Sequence, residues 1–294
     1  MRLQAVLTPT ESKKLIMKGV LAREEVKKAL VNDLLVLHPS STVVFFFEEL
    51  GIPRPCGVWI CGLVQPRGLC ITGQIILEEM KQPREADAHS VVENYTRDWV
   101  LDKGKLVPNI TLTEALQRMG PHSVYVKAAN AVDPHFSAGV LFMGPQAGTI
   151  GKVTKVRREK GFHLLIPVGL EKFIPTRIGD CSKAAMKEDV THCHGTPCGV
   201  FPIQGTVITE MEAFRLTCGV EAVPVAAGGV AGAEGCVVFM LTGTSEALGK
   251  AEKLLSQIKG ARLPNIYLLD CEVCPRVRCH NSFAFKETAK RRSF

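Results

Sequence analysis

The sequence predicts an α/β fold: a Rossmann-like, mainly parallel sheet over residues 1–190, a smaller ferredoxin-like α+β domain over 191–265, and a Cys-rich segment with a basic tail over 266–294. Three observations carry this expectation. Apolar runs of strand length alternate with helix-patterned stretches through residue 175, the rhythm of a parallel sheet with helices on its faces. From about residue 195 the order becomes strand, helix, strand, strand, helix, which is most of a ferredoxin-like unit. The 294 residues are 46% apolar and 22% charged, an ordinary globular composition with enough apolar content for two cores.

Taken in order, Leu15, Ile16, Val20, Val26, Ala29 and Leu30 recur at a helical period interrupted near Gly19, which predicts two short helices. Residues 34–37 are a strand that Pro39 ends; Ser40, Ser41 and Thr42 then lead into an apolar stretch closed by Gly51. Strand, tight polar loop and helix start is a natural place for an anion, because free N–H groups and the positive dipole end face it. Ser41 or Thr42 would serve equally as a plain helix cap. Residues 56–74 read as strand, turn, strand, and the spacing of Cys56, Cys61 and Cys70 matches no common zinc pattern, so core packing is expected for them. Residues 81–109 are polar and read as an exposed excursion; residues 113–119 read as a helix capped by Thr111 or Thr113.

Residues 124–126 form the next strand. Asn130 and Asp133 fall in the turn at its end, and the glycine-rich run over 144–149 follows. Ligands of open α/β sheets bind beyond the carboxyl ends of strands, so the segments around 40 and 130 are expected to wall one pocket. A further strand lies over 161–169. In the C-terminal part, 199–208 reads as one strand, 209–219 as a helix with Thr209 and Glu212 forming a capping box, then two strands, then an amphipathic helix capped by Ser245 and closed by Gly260.

These residues carry a family resemblance. HPSSTVVFFFEELG is similar to the phosphate loop and helix of ribose-5-phosphate isomerases and the related sugar-phosphate isomerase and CoA-transferase-like proteins. AANAVDP looks like the acidic turn of that family, and MGPQAGTIGKV resembles its glycine-rich loop. The resemblance spans about residues 34–170 at the level of pattern. It implies a Rossmann-like domain that binds an anionic small molecule, with Ser40, Ser41 and Thr42 at the anion and Asn130 orienting it. Gly144, Gln146, Gly148 and Thr149 would close the pocket. The family's loop is richer in glycine, Asn130 stands where an acid is expected, and the family's glutamate after the glycine loop has no equivalent here. Asp133 and Lys152 are left as the catalytic candidates. Proton abstraction beside a carbonyl needs a base within hydrogen-bond reach.

Near the C-terminus, DCEVCPRVRCHN brings Cys271, Cys274, Cys279 and His280 together, a pattern that resembles half of a zinc or iron–sulfur site. His192, Cys193, His194 or Cys198 would complete it; surface thiols or a redox pair are the other reading. AAGGVAGAEG, over 226–235, suits either a phosphate approached by backbone or a flexible hairpin, and Glu234 is its one charge. No nucleophile motif or P-loop lysine is present, and His38 reads as a structural or capping residue.

Aromatic residues are only 6% and are not interleaved with basic ones, so no nucleic acid is expected; of the net charge of +7, three charges come from the tail KETAKRRSF. No apolar run approaches the length of a membrane span, and the first residues lack a signal-peptide core, so no membrane and a cytoplasmic location are expected. Eleven cysteines, an odd number, argue against a disulfide framework. The expected function is binding of a phosphorylated or carboxylated small metabolite, with isomerase- or transferase-type chemistry. The alternative is a non-catalytic ligand sensor or assembly protein with a cysteine metal site. A homo-oligomer is expected in either case.

Overall fold

The computed structural model describes residues 1–81, 98–274 and 279. Strand β1 (Arg2–Leu7) buries Ala5 and Leu7, its alternate residues. Helix α1 (Pro9–Ala22) begins on a capping box in which the Thr8 hydroxyl accepts from the Glu11 N–H and the Glu11 carboxylate accepts from the Thr8 N–H. Two helices form, as expected, but α1 runs through Gly19 and the break falls at Arg23, before α2 (Glu24–Asn32). A Cβ on Gly19 would lie 2.7 Å from Ala213, so the glycine is there for a close helix crossing and not as a stop.

Strand β2 (Leu34–Leu37) is buried on both faces: Leu34 and Val36 enter one core, Leu35 and Leu37 the other. After a turn, helix α3 (Phe45–Leu50) starts later than the loop pattern predicts and is only six residues long. Strands β3 (Gly62–Gln65) and β4 (Gly68–Ile71) form the expected hairpin, followed by α4 (Gly73–Met80). Of the expected excursion over 81–109, residues 82–97 lie outside the described residues, and strands β5 (Trp99–Asp102) and β6 (Lys105–Val107) correct the rest. Trp99, Val100 and Leu101 are buried, and the pair closes one side of the central sheet.

The chain continues through α5 (Leu112–Arg118), β7 (Val124–Val126), β8 (Ala131–Val132), β9 (Ala138–Phe142), α6 (Gly148–Lys160), β10 (His163–Pro167) and α7 (Ile178–Ala184). Residues 199–208 are two strands, β11 (Gly199–Ile203) and β12 (Thr206–Ile208), which enter different sheets. Helix α8 (Glu210–Cys218), β13 (Glu221–Ala227), β14 (Val237–Thr242) and α9 (Ser245–Ile258) complete the described order. Thr111 caps α5 through a box with Glu114. Thr209 makes no side-chain cap, and the Glu212 carboxylate pairs with Arg215 and Arg23 rather than closing a box. The cap of α9 is Thr244, one residue before Ser245.

The protein is mixed α/β. Its six-stranded sheet has the order β12-β10-β7-β2-β5-β6; β12, β10, β7 and β2 are parallel, and β5 and β6 antiparallel. Smaller sheets are β1-β14-β13, β11-β9-β8 and β3-β4. Three pairings cross the expected boundary at residue 190: β1 with β14, β12 with β10, and β11 with β9. Leu7, Leu15, Phe214, Phe239, Leu241 and Leu254 form the core between β1-β14-β13 and helices α1, α8 and α9. Among the described residues no helix is long and apolar enough to cross a membrane.

Candidate active site

The sheet register builds the site. Leu37 on β2 pairs with Val126 on parallel β7 and with Trp99 on antiparallel β5. The next residue beyond each pairing is therefore His38, Lys127 and Asp98, three titratable groups in one row at the strand ends. Side chains alternate along a strand, so all three lie on the face of Val36, Tyr125 and Val100. All three are buried.

His38 Nδ1 lies 2.7 Å from Asp98 Oδ1, and the Tyr125 hydroxyl donates to Asp98 Oδ2. A carboxylate only accepts, so Nδ1 carries the ring proton and Nε2 keeps its lone pair. Burial, and secondly the Lys127 charge, hold the His38 imidazolium below its usual pKa, so the ring is neutral at pH 7. Burial also pushes the Tyr125 phenol well above its usual range. Lys127 is lowered to about 8, burial outweighing the attraction of Asp98.

His38 and Lys127 face a cavity of about 270 Å³, with Asp98 and Tyr125 behind them. Its walls come from the loop after β2, the turn after β7, the glycine segment before α6, the β3–β4 hairpin, Lys172, Thr196 and Cys198. Lys172 donates to the Ala129 carbonyl at 2.9 Å, and burial lowers its pKa. Ser40 Oγ accepts from the Val43 N–H at 3.1 Å; among the described residues no hydrogen bond takes the N–H groups of Ser40, Ser41 or Thr42. The six-residue α3 supplies little dipole, and the positive charge here comes from the two lysines.

Ser40, Ser41, Asn130, Gly144, Gly148 and Thr149 line the cavity together, so the segments around 40 and 130 do meet. Thr42 is fully buried, off the wall, with its hydroxyl unpartnered. Gln146 is exposed and off the wall; with Ala147 and Gly148 it forms three successive residues at φ 50°, 60° and 54°. This left-handed run costs on the order of 1 kcal/mol or more at each of its two non-glycine positions. Gly151 permits it, since a Cβ there would lie 2.0 Å from the Gln146 carbonyl oxygen.

Other expected site residues also lie away from the cavity. Asp133 Oδ1 accepts from the N–H groups of His135 and Ser137, and Oδ2 from that of Ile178, so its carboxylate ties a turn down and does not reach the wall. Those three donors hold its pKa below the usual carboxylate value, although burial opposes them. Lys152 is exposed on α6 and is not on the wall. Glu234 sits in the β13–β14 hairpin and accepts from the Gly232 N–H at 3.0 Å; Gly228, Gly229, Gly232 and Gly235 all have positive φ, which makes the run a hairpin tip. Cys274 packs in the small apolar cluster with Ile71, Ile75 and Ile76, as Cys61 and Cys70 do. Cys271 and Cys279 are partly buried, and His280 lies outside the described residues. Among the described residues no three His, Cys, Asp or Glu side chains converge as a metal-ligand set.

Lys127, Asp98, Tyr125 and Lys172 are site residues that sequence reasoning missed, and His38, read there as a structural or capping residue, lines the cavity with them. Lys127 had a signal, as a charge immediately after an apolar strand. Asp98 had none, because its strand lay in a stretch read as exposed. No family model, no curated protein and no solved structure matches this chain, so its own geometry carries the functional argument.

Proposed function

We propose that the protein binds a small phosphorylated or carboxylated metabolite in this cavity and that His38, oriented by Asp98, moves a proton on it. One observation carries the proposal: a histidine with a free Nε2 and two lysines line the same cavity as a hydroxyl loop with free N–H groups. The anion would sit on the N–H groups of Ser40 and Ser41, on the Ser41 hydroxyl and on Lys172, with the reacting carbon toward His38 and Lys127. A neutral imidazole is a competent base for a proton beside a carbonyl, which is isomerase-type chemistry and takes over the role that the resemblance assigns to a missing glutamate. At about 270 Å³ the cavity is smaller than typical drug-sized sites of roughly 300–1,000 Å³, which favours a sugar phosphate or keto acid over a whole coenzyme A. A pure sensor would need only the anion contacts, and the His38–Asp98 pair favours chemistry.

The same reading takes the four parallel strands as Rossmann-like and β1, α1, α8, β13, β14 and α9 as a ferredoxin-like unit with three strands, in a cytoplasmic homo-oligomer. The test is a thermal-shift series with inorganic phosphate, ribose 5-phosphate and dihydroxyacetone phosphate on the wild type, Ser41→Ala and Lys172→Met. Stabilisation of the wild type that both variants lose supports the proposal. No stabilisation of the wild type, or equal stabilisation of all three, refutes it.

A further inference from the structure

Resting on the binding reading above, we propose that Lys127 captures the carbonyl carbon of the bound metabolite as an iminium, with His38 moving the protons. The substrate class is then narrower: a ketone or aldehyde that also carries a phosphate or carboxylate.

The contrast between two buried lysines carries this. Lys13 and Lys127 are 8% and 9% exposed. Lys13 is held in the ordinary way, by Glu171 at 2.7 Å and the Pro9 carbonyl at 3.1 Å. Among the described residues no hydrogen bond or ion pair holds the Lys127 ammonium. Asp98 is the nearby carboxylate, but its two oxygens are engaged by His38 and Tyr125. A buried lysine left unpaired is costly and has no packing rationale. Lining a cavity beside a neutral imidazole, it has a chemical one. Burial also keeps part of the amine unprotonated near neutral pH, the form that attacks carbonyls.

The step balances without an oxidant or reductant. Lys127 first gives its ammonium proton to His38 Nε2; its nitrogen then adds to the carbonyl carbon, the C–N bond forms, and the carbonyl π pair moves onto oxygen, which takes that proton from His38. His38 Nε2 accepts a proton from the adding nitrogen and returns it to the departing hydroxyl. The C–O bond breaks, water leaves, and a protonated C=N bond remains. From a protonated amine and a carbonyl the products are one iminium and one water. The iminium then draws electrons from the adjacent carbon, where His38 takes or returns a proton.

The experiment treats the full chain with dihydroxyacetone phosphate, or separately pyruvate, and sodium borohydride, then maps labelled lysines by peptide mass spectrometry. The expected result is about one label per chain at Lys127, its mass increased by that of the probe less one oxygen atom. His38→Asn should slow labelling by roughly 100-fold, the scale of a general acid–base contribution, while keeping the thermal shift with inorganic phosphate. No label at Lys127 with either probe, although phosphate and the probes still stabilise the protein, overturns carbonyl capture and leaves the binding reading standing. No label and no stabilisation overturns both. Label spread over exposed lysines, with no excess at Lys127, also overturns it. Mapping on the wild type keeps the test decisive if the variant fails to fold.

Discussion

Lys127→Met separates a lysine kept for chemistry from one that supports the fold. Methionine has a similar unbranched stem and no charge, so the substitution keeps most of the packing and removes the ammonium. In the folded protein the ammonium is lowered from 10.5 to about 8, and each factor of ten in proton affinity is about 1.4 kcal/mol, so burial costs the folded state about 3 kcal/mol. The sign follows from the pKa order. Between about pH 8 and 10.5 the unfolded chain holds the proton and the folded one releases it, so wild-type stability rises with pH there. The cost is fully present below about pH 8 and gone above about 10.5. Lys127→Met should therefore be more stable than the wild type by about 3 kcal/mol at pH 7, and by between roughly 1 and 2 kcal/mol near pH 9.5. Its capture of carbonyl probes should be abolished. Urea denaturation at the two pH values measures the difference. A variant less stable than the wild type, or a difference that does not change with pH, would refute the reasoning.

Two further predictions concern the scaffold beneath the site. Glu210 is fully buried, with both carboxylate oxygens accepting from the Leu170 N–H, and burial followed by the Glu171 charge pushes its pKa up to about 7. Its neutral form is favoured, so wild-type stability should fall as pH rises from about 4.5 to 7. Glu210→Gln should flatten that slope and gain up to about 3 kcal/mol above pH 7, read from unfolding midpoints across pH. Gly19→Ala drives a methyl to 2.7 Å from Ala213, backbone included, and should cost roughly 1–3 kcal/mol in chemical denaturation. Unchanged stability would mean that α1 and α8 can separate freely.

What the sequence made legible follows from which interactions are local. Strands at 34–37, 124–126 and 163–167 were readable because continuous apolar runs between turn signals bury on two faces. From them, the rule that ligands sit beyond strand ends brought the loops around 40 and 130 onto one cavity. Tertiary pairing was not readable. β5 hides in a polar stretch and pairs with β2, so Asp98 was invisible. β1 pairs with β14, more than two hundred residues away, and nothing in either segment announces the other. Asp133 shows a different failure. An acid in a turn looks alike whether it meets a substrate or ties down N–H groups, and only the three donors at about 3 Å decide it.

The hydrogen-bond order at Asp98 has a consequence for how many protons the site holds. With Tyr125 on one oxygen and His38 on the other, the Asp98 carboxylate makes no direct ion pair with Lys127 and attracts it only through space. Protonating His38 would then place two cations side by side in a buried space. Burial and the Lys127 charge together oppose that state, as the depressed imidazole reflects. One proton shared between the amine and the imidazole is thus the favoured load. That is what an addition to a carbonyl requires, since the attacking nitrogen must lose a proton and the departing oxygen must gain one. Freeing an Asp98 oxygen with Tyr125→Phe would let Asp98 pair with Lys127, raising its affinity for protons and weakening it as a nucleophile.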